Sequence, residues 1–307
     1  MTDFSITETY LNFLQEDSEM TMPIAAIESL VMLLKHTQPT TSAEMINKIK
    51  EATVELTNSI PNSISLRAGC DIFMRFVLKN THYLAKNDDD GWENFKQHLI
   101  ENGQLFVHRA KQSRDKIADI GIDFIADDDI ILVHGYSRAV YQLLSNAADK
   151  LIRFRCIVTE SRPTMQGKQL CEQLDKKGVP VSLIVDGGIG SIIHKVDKIM
   201  VGAEGVVESG GVINLIGTYG LGVLAKNARK PFYVVTESHK FVRMFPLSSN
   251  DLPQERDPLE FSQNFQGQLS SPLLDFTSYD YITALVTDLG VLTPSAVSEE
   301  LIKMWYD

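Results

Sequence analysis

The chain has 307 residues, of which 44% are hydrophobic and 22% are charged, and this composition is typical of a folded protein with a sizeable buried core. Its formal net charge of -11 argues against general nucleic-acid binding, because an acidic surface repels phosphate backbones. The opening MTDFSITETY lacks the features of a secretion signal, and no run reaches the roughly 18–20 apolar residues that a membrane helix needs. We therefore expect a cytosolic protein without a membrane partner.

Residues 1–125 predict a helical domain. Thr21 is placed to cap a helix with Pro23 in its first turn, and apolar residues then recur at helical spacing at Ile24, Ile27, Val31 and Leu34. Thr41 and Glu44 fit a capping box that begins the next helix. The run from Trp92 to about Ile125 predicts one or two further helices.

Residues 126–307 predict a second domain of the α/β class. DIILVHGYS, RFRCIVTES, VPVSLIVDGG, DKIMVGAEG and PFYVVTES are short apolar runs, and segments with helical patterning separate them. This alternation is typical of a Rossmann-like, doubly wound parallel sheet. Residues 245–280 are rich in Pro, Ser and Gln and predict a surface loop. The chain then ends with a predicted strand, a turn and a short helix.

Polar or Gly-rich segments follow each predicted strand, so they are expected to meet at one edge of the sheet, where open α/β sheets bind ligands. Thr159, Ser161 and Asp186 follow the second and third strands. Backbone amides at helix N-termini favour an anion, and Arg138 and Arg162 offer charged donors. The candidate anion pocket comprises His134, Ser137, Arg138, Arg162, Glu204, Gly210, Gly211, Asn214, Gly217 and Thr218.

The glycine run VGAEGVVESGGVINLIGTYGLG leaves two interpretations open. It matches neither G-x-G-x-x-G in the setting of a dinucleotide site nor the G-x-x-x-x-G-K-[ST] loop. The glycines either border an anion pocket or serve tight turns and close packing.

Other chemistries find little support in the sequence. The histidines show no paired metal spacing, so we expect no metal site. Three cysteines, Cys70, Cys156 and Cys171, predict buried free thiols. The basic residues Arg109, Lys111, Arg114 and Lys116 predict a solvated helix face.

Five blocks carry a resemblance to a known family: LVHGYSRAV, TESRPTMQGKQL, VGAEGVVESGGVINLIGTYGLGVLAK, KPFYVVTESHKFV and TDLGVLTPSAVSEELIK. Together they resemble the initiation factor 2B/sugar-phosphate isomerase family, which joins a helical domain to a Rossmann-like domain. ETYLNFLQEDSEMTMPIAAIESL, SLRAGCDIFMRFVL and FVRMFPLSSNDLP resemble one branch of it, the alpha regulatory subunits in their fungal form.

The sequence departs from the family's enzymes at reactive positions. In those enzymes a cysteine follows the histidine after the first strand, and an aspartate follows Gly-Ala after the fourth; this chain has Gly135 and Glu204. In place of the Asn and Lys of the enzymes' N-G-x-x-x-N-K block it has Ser209 and Leu215. Since moving a carbonyl between sugar carbons needs an acid/base pair, we expect a pseudoenzyme without isomerase activity.

The resemblance implies a regulatory subunit of the complex that exchanges GDP on translation initiation factor 2, with a role in translational control during stress. It implies a homodimer that bridges two halves of the complex, and the beta, gamma, delta and epsilon subunits as partners, one of which carries the exchange activity. It also implies sensing of initiation factor 2 phosphorylated on its alpha subunit.

Candidate sensing residues are Thr41 and Glu44, which are equally explained as a plain capping box. The resemblance also implies a sugar phosphate as the ligand of the candidate anion pocket, which is then a sugar-phosphate pocket, and no cofactor is expected. Two alternatives remain open: an active isomerase that uses Glu204, and a metabolite-binding protein outside translation.

Overall fold

The structure, a computed structural model, describes residues 4–17, 19–37, 39, 41–60, 64–81, 91–253 and 272–306. The chain forms two compact units, Met1–Gln112 and Ser113–Asp307. Their dividing point lies inside a long helix, α5 (Gly91–Gly121), whereas the boundary predicted at 125/126 lies just before the first strand. Across the described ranges, no helix is both long and apolar enough to cross a membrane.

The first unit is helical and packs around its second helix. Its elements are α1 (Ile6–Glu16), α2 (Met22–His36), α3 (Ser42–Ser59), α4 (Ile64–Thr81) and the first part of α5 (Gly91–Gly121). Ten of the fifteen residues of α2 are buried, and α1, α3 and α4 all contact it. The predicted core positions Ile24, Ile27, Val31 and Leu34 are each at most 2% exposed. A methyl group at Gly69 of α4 would lie 2.7 Å from the Cα of Pro23, so the close approach of α4 to α2 depends on this glycine.

The predicted helix starts are correct in position and differ in how they are capped. The Thr41 hydroxyl accepts a hydrogen bond from the Glu44 N–H at 3.1 Å, which is the first half of the predicted capping box. The Glu44 carboxylate pairs with Lys48 at 2.9 Å. Thr21 lies at the N-cap of α2 with Pro23 in the first turn, but its buried side chain makes no capping bond.

One helix, α5, covers most of the stretch from Trp92 to Ile125, and a short 3-10 turn, Ile122–Phe124, follows it. Its four basic residues do not share one environment. Arg109, Lys111 and Lys116 are exposed, but Arg114 is only 7% exposed, so the prediction of a solvated basic face is wrong for that residue.

The second unit contains a seven-stranded sheet in the order β11-β10-β7-β4-β1-β2-β3. The strands of the unit are β1 (Ile130–His134), β2 (Arg155–Thr159), β3 (Val181–Ile184), β4 (Lys198–Val201), β5 (Gly205–Val207), β6 (Val212–Leu215), β7 (Phe232–Val235), β8 (Phe241–Val242), β9 (Leu274–Thr277), β10 (Ala284–Thr287) and β11 (Gly290–Leu292). The large sheet is parallel except for β11, which is antiparallel to β10. The six predicted strands are β1, β2, β3, β4, β7 and, near the C-terminus, β10, which confirms the doubly wound fold.

A second sheet was not predicted. It has four strands in the order β8-β5-β6-β9 and is mixed, because β5 and β6 form an antiparallel hairpin while β5 and β8 are parallel. The glycine run supplies β5 and β6, and β9 lies in the segment that was predicted to be a loop. Residues 254–271 of that segment lie outside the described residues.

Helices cover the large sheet and complete two apolar clusters. They are α6 (Arg138–Asp149), α7 (Gln166–Lys176), α8 (Ile189–Ile192), α9 (Thr218–Asn227) and α10 (Val297–Tyr306). Cys70 of the helical unit and Cys156 and Cys171 of the second unit are buried free thiols, as predicted. Burial raises the pKa of the Cys70 thiol to about 12, so this thiol is unreactive near neutral pH.

Candidate functional site

The carboxyl ends of four neighbouring strands form the candidate site. β4, β1, β2 and β3 are adjacent and parallel, so the residues that follow them share one edge of the sheet. His134 ends β1, Thr159 ends β2, and Asp186 follows β3. The structure thus brings together the polar segments that the sequence places after separate strands.

His134 is the buried centre of this edge and is 2% exposed. Its Nε2 lies 2.9 Å from the carbonyl oxygen of Ile216, and its Nδ1 lies 2.6 Å from the Thr159 hydroxyl. A carbonyl oxygen only accepts, so we assign the proton to Nε2, and Nδ1 accepts from Thr159. Burial lowers the pKa of His134, although the Ile216 carbonyl and the Asp186 carboxylate oppose this effect. The ring is therefore neutral at pH 7.

Ser161 and Asp186 fasten the loop after β2 to its neighbours. The Ser161 hydroxyl accepts from the Gly135 N–H at 2.8 Å. Asp186 accepts from the N–H groups of Ser161 and Arg162 at 2.9 and 2.7 Å. Ser161 adopts a left-handed backbone with φ of 60°, a conformation that non-glycine residues seldom take. The sequence identified Ser161 and Asp186 as strand-end residues, but nothing in it showed that they join three loops.

Four predicted pocket residues border this edge with different side-chain environments. The Ser137 hydroxyl caps α6 by accepting from the Val140 N–H at 3.4 Å, and Arg138 is the first residue of that helix. The Arg162 side chain is 65% exposed, with its Nε 3.4 Å from the Glu160 carboxylate. Glu204 is half-buried between β4 and β5.

Three further predicted residues lie between the end of β6 and the start of α9. A methyl group at Gly217, where φ is 105°, would lie 3.0 Å from the His134 ring, so this turn packs directly on the imidazole. The Asn214 amide donates to the Thr218 hydroxyl at 3.1 Å, and that hydroxyl donates to the Leu215 carbonyl at 2.7 Å. The Asn214 amide N–H and the Thr218 hydroxyl are thus engaged in bonds that join the end of β6 to the start of α9.

Asp275 of β9 anchors the same turn, and the sequence analysis did not identify it. Its Oδ2 accepts from the N–H groups of Gly217 and Tyr219 at 2.7 and 3.1 Å, while its Oδ1 is buried with no hydrogen-bond partner among the described residues. Burial raises the Asp275 pKa to about 6, although the backbone N–H groups of Tyr219, Gly217 and Thr218 act in the opposite direction. A carboxylate of the protein therefore already occupies the N-terminus of α9, where an anionic ligand was conceivable.

Gly210 and Gly211 lie in the turn between β5 and β6. A methyl group at Gly210 would overlap the Pro294 carbonyl, and one at Gly211 would lie 2.7 Å from the Phe276 ring. The Gly210 N–H donates to the Val207 carbonyl at 2.8 Å. The structure gives both glycines the tight-turn and close-packing role, and no hydrogen bond found in the described residues joins them to His134.

Gly135 lacks a reactive side chain. It lies next to Leu215, another position at which this chain differs from the pattern of the enzymes. Its φ is 79°, and a methyl group there would lie 2.8 Å from the Cδ1 of Leu215. Leu215 therefore fills the space beside the backbone of Gly135. The two substituted positions are adjacent in space although 80 residues separate them in the chain.

A buried charge cluster follows β7. Glu237 is 1% exposed, and its carboxylate lies 3.3 Å from the Nε of Arg114 and 3.5 Å from the Nζ of Lys240. Burial alone would raise the Glu237 pKa, but Lys240, His239 and Arg114 outweigh it and hold the value at about 2. Lys240 also donates to the Ala203 carbonyl at 2.9 Å, which fixes the residue just before Glu204.

Relatives of known identity resemble the chain over nearly its whole length. Residues 15–294 match the initiation factor 2 subunit family. The chain is 39% identical to the translation initiation factor eIF2B subunit alpha of Dictyostelium discoideum, with 98% of this chain and 96% of that protein covered. It is 34% identical to the protein of the same name from Caenorhabditis elegans, covering 99% and 100%. It is 29% identical to the ribose 1,5-bisphosphate isomerase of Pyrococcus furiosus, covering 90% and 86%. The chain therefore belongs to the initiation factor 2 subunit family.

Solved structures agree with the fold. The translation initiation factor eIF-2B of Pyrococcus horikoshii OT3 matches with a TM-score of 0.72 and 24% identity, over 94% of this chain and 98% of that one. A chain of the tetrameric eIF2B-beta2-delta2 complex from C. thermophilum matches with a TM-score of 0.79 and 18% identity, over 98% and 96%. Because both sequence identities are low, these two structures support the fold of this chain and no more than its fold.

Asp275 gives the stability of the protein a defined pH dependence. Its folded-state pKa of about 6 lies above the ordinary 3.8, so the folded chain binds more protons than the unfolded chain between these values. The free energy of unfolding therefore falls as pH rises through this window. We expect Asp275→Asn to remove this contribution, so that the variant gains up to about 3 kcal/mol relative to the wild type between pH 4 and pH 7.

Urea unfolding at several pH values measures this difference. The matched control is Asp280→Asn, because Asp280 is an exposed carboxylate on the neighbouring turn. Parallel pH profiles for the wild type and Asp275→Asn would rule out the assigned role of the Asp275 carboxyl.

Proposed function

We propose that this member of the initiation factor 2 subunit family is a non-catalytic regulatory subunit of the guanine-nucleotide exchange complex for translation initiation factor 2. The observation that carries the proposal is the similarity, over nearly the full length, to proteins named eIF2B subunit alpha. In this proposal another subunit carries the exchange activity. The protein acts in the cytosol, where translation factors work.

The arrangement of the strand-end groups supports a pseudoenzyme. Isomerisation of a sugar phosphate needs groups that give and take protons at neighbouring carbons. Gly135 has no such group, and both ring nitrogens of His134 are already engaged. Both oxygens of Asp186 accept backbone N–H groups. Proton transfer tolerates little displacement, so the longer Glu204 side chain is a poor replacement for an aspartate.

A retained pocket for a sugar phosphate is the second part of the proposal. The exposed Arg162 guanidinium and Arg138 at the start of α6 supply the charged donors. His134 and the α9 turn form a rigid floor through the bonds that involve Asn214, Gly217 and Thr218. Bound sugar phosphate regulates or stabilises the subunit and is not turned over. No other cofactor is proposed.

The third part of the proposal concerns assembly with other subunits. The chain forms a homodimer through the second unit, bridges two halves of the complex, and contacts the beta, gamma, delta and epsilon subunits. One relative in fold is a chain of a beta2-delta2 tetramer, which supports assembly through this fold. Large apolar side chains are exposed at one sheet edge and on the last helix, at Leu289, Val291, Ile302 and Met304.

The helical unit is proposed to sense initiation factor 2 phosphorylated on its alpha subunit. Thr41 and Glu44 are the candidate residues at the start of α3. Their observed contacts, a cap and an exposed ion pair with Lys48, equally fit a structural role. A phosphate adds a charge of about -1.5 to -2, which an acidic residue repels and a free N–H attracts.

We expect the purified chain to sediment as a dimer at micromolar concentration. Val291→Asp, in the exposed edge strand β11, should weaken the dimer at least about tenfold, because a buried unpaired carboxylate costs several kcal/mol. The control is Leu151→Asp, at a residue that is 85% exposed elsewhere on the second unit. A wild-type chain that is monomeric at this concentration contradicts the homodimer.

The regulatory role predicts an effect on GDP release from initiation factor 2. With the chain present, phosphorylated substrate should inhibit exchange; with the chain omitted from the assembled complex, exchange should become insensitive to phosphorylation. Equal inhibition in both preparations would exclude this chain as the sensor. Assembly of this complex also tests the alternative that the chain is a metabolite-binding protein outside translation. That alternative predicts that the chain does not associate with the other subunits.

An active isomerase is the alternative, supported by the relative that is named ribose 1,5-bisphosphate isomerase. It predicts turnover of ribose 1,5-bisphosphate or methylthioribose 1-phosphate that Glu204→Gln abolishes. We expect no turnover above a heat-denatured control. Turnover in the wild type that persists in Glu204→Gln would point to a contaminant.

A further inference from the structure

We propose that the cleft beside the carboxyl ends of α6 and α7 is a docking site for another subunit of the proposed complex, with Leu151 as its apolar anchor. The partner presents a large apolar side chain with a carboxylate beside it. This inference rests on the proposed assembly and concerns a surface that the strand-end site does not use.

The cleft lies at the opposite edge of the large sheet from the strand-end site, where β2 and β3 begin, and has a volume of about 610 Å³. Apolar side chains form much of its lining, namely Ala148, Leu151, Ile152, Phe154, Val179 and Pro180. Clefts of roughly 300–1,000 Å³ with apolar walls are typical of binding sites. This cleft is therefore large enough to receive a side chain from another molecule.

Leu151 is held in a backbone conformation that leucine disfavours. Where α6 ends, the Leu151 N–H donates to the Ala148 carbonyl at 2.9 Å and the Ile152 N–H donates to the Ala147 carbonyl at 3.0 Å. Residue 151 is thereby placed in the left-handed region, with a φ of 64°. Glycine is the usual residue at this position of a helix end, because other side chains are strained there.

Two other helices of the second unit end with the same pair of hydrogen bonds. The residue that corresponds to Leu151 is Gly178 after α7, with a φ of 77°, and the exposed Arg229 after α9, with a φ of 56°. Leu151 is the apolar residue of the three, and it is 85% exposed. A single exposed leucine is ordinary on a protein surface. A leucine that is both strained and exposed contributes no stability to the isolated chain, so a contact with another molecule explains it better.

Most of the charges around the cleft are already paired. Three cations belong to its lining, and two of them contact carboxylates outside it. Lys177 lies 2.9 Å from Asp149, and Arg153 lies 3.8 Å from Asp127. These two pairs leave no net charge for a partner to complement.

Arg155 is the third cation of the lining and is exposed. Within the described part of the chain its guanidinium makes no ion pair or hydrogen bond, and the same holds for the carboxylate of Asp128, which also lines the cleft. A complementary partner therefore offers a carboxylate to Arg155 and an N–H or hydroxyl donor to Asp128. Both groups border the same cleft as Leu151, so one partner segment can contact all three.

The position of the cleft favours a different subunit over a second copy of this chain. The apolar side chains proposed for the homodimer lie on β11 and α10, and β11 ends the large sheet at the side opposite to β3. A two-fold contact uses the same patch on both copies, so a homodimer formed there leaves the cleft open. A small ligand inside the cleft would leave much of the Leu151 side chain in water, whereas the surface of a protein can cover it.

Urea unfolding tests the strain at Leu151. We expect Leu151→Gly and Leu151→Asn to raise the folding equilibrium constant about two- to fivefold, because glycine and asparagine adopt a positive φ more readily than leucine. Arg229→Gly should give a similar gain, since it changes the same position at the end of α9. Lower stability in both Leu151 variants would show that contacts within the chain explain the leucine, and would overturn the inference.

The affinity for a purified assembly of the beta, gamma, delta and epsilon subunits tests the docking. We expect Leu151→Gly to weaken binding at least about tenfold, because it removes a large apolar side chain from the interface. Arg155→Gln should weaken binding at least about threefold, with a larger effect at low salt than at high salt. Leu151→Met keeps an apolar side chain of similar size, and we expect it to bind within about twofold of the wild type.

Arg229→Gly is the matched control, because it relieves the same backbone strain away from the cleft. A loss of affinity in Leu151→Gly that is no greater than in Arg229→Gly overturns the inference. Loss of the homodimer in Leu151→Gly, measured by sedimentation, would identify a second copy as the occupant and overturn it as well. A wild-type chain that does not bind the other subunits contradicts the proposed assembly itself, whereas binding that Leu151→Gly leaves unchanged removes only this docking site.

Discussion

One buried imidazole connects the two sheets of the second unit. His134 ends β1 in the large sheet, donates to Ile216 just beyond β6 of the small sheet, and accepts from Thr159 of β2. This arrangement requires a neutral ring, because a protonated Nδ1 could no longer accept the Thr159 hydroxyl. It also requires glycine at 217, since a side chain there would press on the ring. The position of the α9 turn beside the end of β1 follows from these constraints.

After β7, on the other side of the same sheet edge, charged side chains are buried together. The Arg114–Glu237–Lys240 cluster is nearly devoid of solvent, so its Coulomb attraction compensates a large desolvation penalty and contributes little net stability. The main effect of the cluster is to fix the positions of the chain segments that it joins. It fastens the end of α5 to the segment after β7, and through the Ala203 carbonyl it fastens the approach to Glu204. Removing one partner would leave a buried charge, so these loops have little freedom to rearrange.

The sequence predicted what depends on local periodicity and little of what depends on tertiary pairing. The strands β1, β2, β3, β4 and β7 are apolar runs bounded by polar segments, so they were visible. The hairpin of β5 and β6 was hidden, because glycines that serve its turn also resemble a phosphate loop. Arg114 could not be distinguished from Arg109 and Lys116, since burial of one cation on a basic helix depends on a carboxylate more than a hundred residues away. Asp275 was missed because its short strand lies in a segment dominated by loop-forming residues.

The hydrogen bonds already made by the strand-end side chains bear on the proposed lack of catalysis. A side chain that transfers a proton must be able to change its hydrogen bonds during the reaction, and each buried group left unpaired costs about 1–3 kcal/mol. His134, Thr159, Ser161 and Asp186 hold one another and the backbone in a closed set of bonds. Using any of them as acid or base would break the scaffold that positions the rest. Such a set supports the proposed pseudoenzyme, and a ligand held in the proposed pocket would stabilise the relative positions of three loops. A glycine at position 135 is therefore compatible with this framework, because none of the framework's bonds depends on a side chain at that position.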